Sequence, residues 1–286
     1  MRLPRPAPLV IGALALLATT PPATAQFRKY IYPAPTAALS VEGLPAGTER
    51  FAVTTADGLT LAGLRHAASA GKPTLLVFHG NASSAMTTID WFAPLIAAGY
   101  GVVAAEYRSY SGNPGTPNEA GLTHDADAFY AAARAHAGGG RVIVVGHSLG
   151  SGVGFGLAQR QRLDALVTIG GFTGIRPLAP RIVRGLIGDR YDNLAAVRTL
   201  DEPYFLIHGL QDDVVPAVHG KQLGEAAEAA GVSGVAFFLT EADHHPSSAR
   251  IAALIPTIIS YCDGGDPPML ADTRTFRFGR FAARTR

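Results

Sequence analysis

The chain has 286 residues, 48% hydrophobic and 16% charged, with a net charge of +2. That composition fills a large core, excludes a disordered polyelectrolyte, and gives no field suited to a general nucleic-acid binder. The single cysteine, Cys262, excludes an internal disulfide.

Arg2 and Arg5 precede a short apolar run from Leu9 to Ala18, and "PPATAQ" follows with an A-x-A site ending at Ala25. This is the layout of a secretory signal peptide. Residues 1–25 are therefore expected to be a signal segment, with a mature exported chain, periplasmic or secreted, starting at Gln26. The run is short for a membrane span, and an uncleaved N-terminal tether is the alternative. Residues 26–50 read as an N-terminal extension.

From Phe51 the pattern becomes regular. "RFAVTTADGLTLAGLRH" predicts a hairpin turning at Asp57-Gly58. Short apolar runs then recur at 74–79, 101–107, 141–146, 165–170, 204–209 and 235–240. Runs without polar alternation suit parallel strands covered on both faces. Between them, "TPNEAGLTHDADAFYAAARAHAG" predicts a helix with Thr116 as N-cap, Pro117 at its first turn and Glu119 completing a capping box. "VHGKQLGEAAEAAG" predicts another, ended by Gly231.

Strands alternating with helices give an α/β fold with a mainly parallel, twisted sheet over residues 51–263. Residues 171–199 break the rhythm and are expected to form a small helical cap. Its apolar residues, Phe172, Ile175, Leu178, Ile182, Val183, Leu186 and Ile187, suit either an acyl group or packing of the cap itself. Cys262 falls in an apolar helical stretch and reads as a buried structural residue. Residues 264–286, with Gly264, Gly265, Pro267 and Pro268 before five arginines, read as a flexible basic tail. A solvated tail is the expectation; peripheral contact with an anionic membrane is the alternative.

The chemistry lies where strands end. "VIVVGHSLGSG" places Gly146-His147-Ser148-Leu149-Gly150 between a strand and a small-residue helix, the setting a G-x-S-x-G nucleophile requires. The nearby Gly150, Gly152, Gly154 and Gly156 miss the dinucleotide-loop spacing and suit close helix–sheet packing. A serine nucleophile needs a base and an orienting acid. Asp212 and Asp213 follow one later strand; His244 and His245 follow the next. Upstream, "LLVFHGNAS" ends a strand, so the backbone N–H groups of Asn81 and Leu149 are candidate oxyanion donors. His79 and His208 read as structural. Pro246 disfavours a helical backbone at His245, which leaves His244 nearer the strand end. Asp243-His244-His245 makes a poor metal site, because adjacent histidines rarely point at one ion.

Taken in order, "HGNA" (79–82), "EYRSYSGNPGTPNEAGLTHDA" (106–126), "GHSLGSG" (146–152), "HGLQDDVVP" (208–216) and "ADHH" (242–245) resemble an α/β-hydrolase-fold serine hydrolase. The branch they most resemble includes BEM46-like and ABHD13/ABHD17-like proteins. The resemblance implies Ser148 as nucleophile, Asp212 as acid and His244 as base, with no metal or organic cofactor. It implies a small-molecule ester or thioester substrate. Carboxylic esters are the expected class; thioesters, peptides or a non-catalytic binding role are the alternatives. Four positions depart from the family pattern. Glu106 stands for a usual aspartate, Ser109 and Asp243 for usual glycines, and Pro246 for a usual polar residue.

Overall fold

The structure, a computed structural model, describes residues 31–178 and 181–282. The expected signal segment, residues 1–25, lies outside the described residues. Among the described residues, nine strands form one sheet: β1 (Glu49–Thr54), β2 (Thr60–His66), β3 (Thr74–Phe78), β4 (Gly101–Ala104), β5 (Val142–His147), β6 (Ala165–Ile169), β7 (Tyr204–Gly209), β8 (Gly234–Leu239) and β9 (Thr273–Phe278). Their order is β1-β2-β4-β3-β5-β6-β7-β8-β9. The central pairs from β4 to β8 are parallel, whereas β1, β2 and β9 join antiparallel.

The apolar runs form strands because both faces of the sheet are covered. Within β3, Leu76 and Phe78 enter one core while Leu75 and Val77 enter the other. Successive strand side chains point to opposite faces, so a run without polar gaps fills both layers. Helices α1 (Ala85–Trp91), α2 (Ala93–Ala97) and α8 (Ser248–Cys262) carry Ile89, Leu95 and Ile255 into one layer. Helices α3 (Glu119–His136), α4 (Leu149–Ala158) and α7 (Ala217–Ala229) carry Phe129, Phe155 and Leu223 into the other.

The predicted hairpin is β1–β2, with Gly58 at φ 85° in its turn. The cap of α3 sits two residues later than predicted: Asn118, not Thr116, accepts from the Gly121 N–H at 2.8 Å. Glu119 is released from a capping box and instead accepts from the Arg190 and Tyr191 N–H groups. Those bonds tie the end of the 171–199 segment to the start of α3. Tyr32, from the N-terminal extension, bonds Asp189 at 2.8 Å and lies 3.0 Å from the Tyr191 hydroxyl. The segment itself carries α5 (Ile175–Leu178), a 3₁₀ turn (Arg181–Leu186) and α6 (Asn193–Ala196). Phe172, Ile175 and Ile187 pack inward, while Leu178, Ile182 and Leu186 are exposed. The side chain of Val183 lies outside the described residues.

The C-terminal tail departs from expectation. Instead of a flexible basic run, "TRTFRF" forms β9 against β8. Its threonines and phenylalanines are residues that favour strands, and Thr273 and Phe278 are buried at its two ends. Phe278 is fully buried against Gly234, where a Cβ would fall 2.6 Å from the ring. Arg277 pairs with Asp266 at 2.6 Å and covers the Tyr261 ring. The arginines blunt an edge strand that would otherwise invite pairing with another chain. Among the described residues no helix is long and apolar enough to cross a membrane.

Glu202, just before β7, is buried, and among the described residues its Oε1 has no hydrogen-bond partner. Burial, reinforced by Asp201, pushes its carboxyl up to about 7. An acid raised on folding contributes most stability below its unfolded value near 4.5, and loses it as pH rises through about 7. Glu202→Gln is therefore expected to raise the melting temperature at pH 8 and to leave it almost unchanged at pH 4. Thermal melts at the two pH values check this.

Candidate active site

Ser148 occupies the turn from β5 into α4 with φ 51° and ψ −116°, a conformation that L-residues rarely hold. Two glycines make that turn feasible. A Cβ on Gly146 would fall 2.3 Å from the Gly150 carbonyl oxygen, and one on Gly150 would fall 1.9 Å from the Phe78 carbonyl oxygen. The first turn of α4 thus lies against the end of β3, as G-x-S-x-G requires. Gly150→Ala drives the α4 backbone away from the end of β3 and is expected to destabilise the fold by several kcal/mol, about the upper range for a single substitution. Loss of cooperative unfolding, or of soluble protein, is the readout.

The expected acid and base, Asp212 and His244, meet beyond the ends of β7 and β8. His244 Nδ1 lies 2.7 Å from Asp212 Oδ2. A carboxylate only accepts, so Nδ1 carries the proton and Nε2 is the free face of the imidazole. Asp212 Oδ1 accepts from the N–H groups of Val214 and Val215, at 3.0 and 2.7 Å. Burial pushes the Asp212 carboxyl up, but the His244 and Val215 bonds more than offset it and hold it below its ordinary value. Asp213 is exposed. Gly170, which follows β6, fills the space between: a Cβ there would sit 3.0 Å from the His244 ring and 3.5 Å from Asp212. Ser148 N–H bonds Ile169 O at 2.9 Å, so the serine is held beside that same glycine turn.

The pair of histidines divides cleanly. His244 is part-buried on Asp212, whereas His245 is exposed and lies with its ring 4.2 Å from that of Trp91. Asp243 accepts from the His245 N–H at 2.8 Å, so its carboxylate shapes the turn that separates the two rings. Pro246 precedes Ser247, which caps α8 by accepting from the Arg250 N–H.

Asn81 sits in the turn after β3, and Leu149 opens α4, where the first N–H groups of a helix have no intrahelical partner. Beneath that turn, His79 Nε2 lies 3.0 Å from Glu106 Oε1, and Glu106 Oε2 accepts from the Ala85 N–H at 2.8 Å. Both side chains are buried, and the longer Glu106 carboxylate links His79 to the start of α1. Ser109, where the family favours glycine, holds φ 72°, the left-handed region that explains that preference. His208 Nε2 donates to Val215 O at 2.8 Å and supports the Asp212 turn. His79 and His208 are thus structural, as read from the sequence. Cys262 is half-buried, and burial pushes its thiol up to about 11. Among the described residues no three His, Cys, Asp or Glu side chains gather to hold a metal ion.

Two residues escaped the sequence reading. Trp91, at the end of α1, donates its indole N–H to Pro246 O at 2.8 Å. His147, the variable residue of G-x-S-x-G, lies with Nε2 3.0 Å from His244 O. Their partners lie 155 and 97 residues away, and no local signal announces them.

Residues 73–198 match the family described as alpha/beta hydrolase fold. An uncharacterised protein of Mycobacterium tuberculosis strain CDC 1551 is 33% identical over 195 residues, covering 64% of this chain and 68% of that one. The chain belongs to the alpha/beta-hydrolase fold family. Among relatives of named activity, the lysophosphatidylserine lipase ABHD12 of Xenopus tropicalis is 28% identical over 193 residues. That match covers 59% of this chain and 50% of the relative, so the hydrolase chain spans half the length of that protein. The Pyrococcus furiosus esterase Pf2001 shares the hydrolase fold at 19% identity, with a TM-score of 0.61 over 80% of this chain and 99% of its own.

Proposed function

We propose that this alpha/beta-hydrolase is a serine hydrolase that cleaves carboxylic esters through an acyl-enzyme. The observation that carries the reading is the 2.7 Å His244–Asp212 bond beside a serine held in a strained strand-to-helix turn. Ser148 Oγ attacks the acyl carbonyl, and His244 Nε2 takes its proton and returns it to the leaving alcohol. Asp212 fixes the tautomer and stabilises the imidazolium. The N–H groups of Asn81 and Leu149 hold the oxyanion. Water, activated by the same imidazole, then releases the acid and restores Ser148.

Esterase and lipase relatives support a hydrolytic reaction on esters. The resemblance of the motif set favours the BEM46-like and ABHD13/ABHD17-like branch, and the chain's relatives of named activity include ABHD12. Thioesters and peptides use the same machinery and are the competing substrate classes. We further propose export, with processing after Ala25, on the strength of the N-terminal pattern alone; intact-mass analysis of the mature protein reads the cut directly.

The test is a fluorophosphonate probe on folded wild-type protein, followed by p-nitrophenyl esters of graded length beside a thioester and an aminoacyl anilide. Labelling at Ser148 with ester turnover is the expected result. A folded protein that takes no label is a hydrolase-shaped binding protein, and the enzymatic reading fails.

A further inference from the structure

We propose that His147 is a positioning residue: it bridges the oxyanion turn and the 240–247 loop, and so sets where the His244 imidazole stands relative to Ser148. The inference rests on the triad reading above. His147 is the last residue of β5, directly before Ser148, and its side chain is 6% exposed. The His244 carbonyl can only accept, so the 3.0 Å contact requires a hydrogen on His147 Nε2. On the ring's other side lies Gly80, where a Cβ would fall 2.8 Å from His147 Nδ1 and 3.2 Å from Ser148 Cβ. The imidazole is therefore wedged between the "HGNA" turn and the loop that carries the base.

The loop is gripped at alternate carbonyls. Ala242 O accepts from the Gln211 N–H at 3.0 Å, from the side of the acid. His244 O and Pro246 O accept from His147 and Trp91, from the side of the nucleophile. Trp91 also packs edge-on against His147, with ring centroids 5.1 Å apart, and so fixes the ring that fixes the loop. Burial, helped by His244 nearby, pushes the His147 imidazole down to about 3. The neutral ring has a single hydrogen, and the His244 carbonyl holds it on Nε2. The strand that presents Ser148 thus locates its own base.

A purely space-filling ring and a donor ring separate by substitution. His147→Phe keeps the aromatic volume and removes the donor; His147→Gln gives up the ring and retains an N–H. A base displaced by an ångström costs on the order of 100-fold in rate. Positioning therefore predicts that His147→Phe loses about 30- to 100-fold in kcat, with KM within about two-fold, and that His147→Gln recovers most of the loss. A His147→Phe enzyme with wild-type kcat, or a His147→Gln enzyme worse than His147→Phe, overturns the proposal. If His147→Phe does not fold, Trp91→Phe, which removes the second donor, must show the same loss in kcat at constant KM; wild-type kcat there also overturns it. Fluorophosphonate titration of wild-type protein runs beside these assays. No label on the wild type sinks the triad reading itself, whereas a labelled wild type with an unimpaired His147→Phe sinks positioning alone.

Discussion

Ser148→Ala is expected to lower kcat on a p-nitrophenyl ester by about 10⁶-fold while the melting temperature stays at or above that of the wild type. The activity falls because no other hydroxyl shares the turn between β5 and α4 with the start of a helix behind it. The stability holds because removing Oγ leaves the fold's contacts intact: the Ser148 N–H keeps Ile169 O, and the Ser148 carbonyl keeps the Ser151 side chain at 2.6 Å. The backbone strain at φ 51° remains, since alanine meets the same clash. Residual rate over water of about 10³-fold is expected from substrate binding and the two N–H donors alone. Steady-state kinetics on a variant checked by thermal melting decides the matter; a kcat within ten-fold of wild type would falsify the nucleophile assignment.

His244→Ala is expected to cost nearly as much as Ser148→Ala, and His245→Ala less than about five-fold. The two residues are neighbours in sequence and close in chemistry, so the contrast is sharp. Only His244 reaches Asp212; His245 is exposed and rests against Trp91. Asp212→Asn belongs to the same set. An asparagine presents either an amide N–H or a neutral carbonyl to Nδ1, weakening the tautomer that leaves Nε2 free to accept the serine proton. A loss of about 10⁴-fold is expected, larger at neutral than at high pH. Parallel kinetics of the three variants on one ester reads the assignment. A dominant loss in His245→Ala would shift the base by one position.

The parallel centre of the sheet was legible because its strands are β-branched and apolar on both faces, which no surface element tolerates. Ser148, Asp212 and His244 could each be placed at a strand end for the same reason. The start of α3 was misread by two residues because Thr116 and Asn118 are both good caps, and only the fold shows that Glu119 is needed at Arg190 and Tyr191. β9 was missed because five arginines and flanking glycines and prolines outweighed a six-residue run rich in threonine and phenylalanine. What makes "TRTFRF" a strand is Phe278 meeting Gly234, a contact between distant segments. Trp91 and His147 belong to the same class: aromatic residues whose partners are backbone carbonyls carry no sequence pattern at all.

Trp91 has one more consequence, because it is the only tryptophan in the chain. Excited at the red edge of its absorption, where the nine tyrosines absorb little, the protein emits from a single indole, hydrogen-bonded to Pro246 and flanked by His147 and His245. Protonated imidazoles quench indole, and a loosened loop admits water that shifts its spectrum to the red. The protein therefore carries an intrinsic fluorophore packed against the loop that carries His244, and ligand arrival and acid titration can be followed there by light without any label.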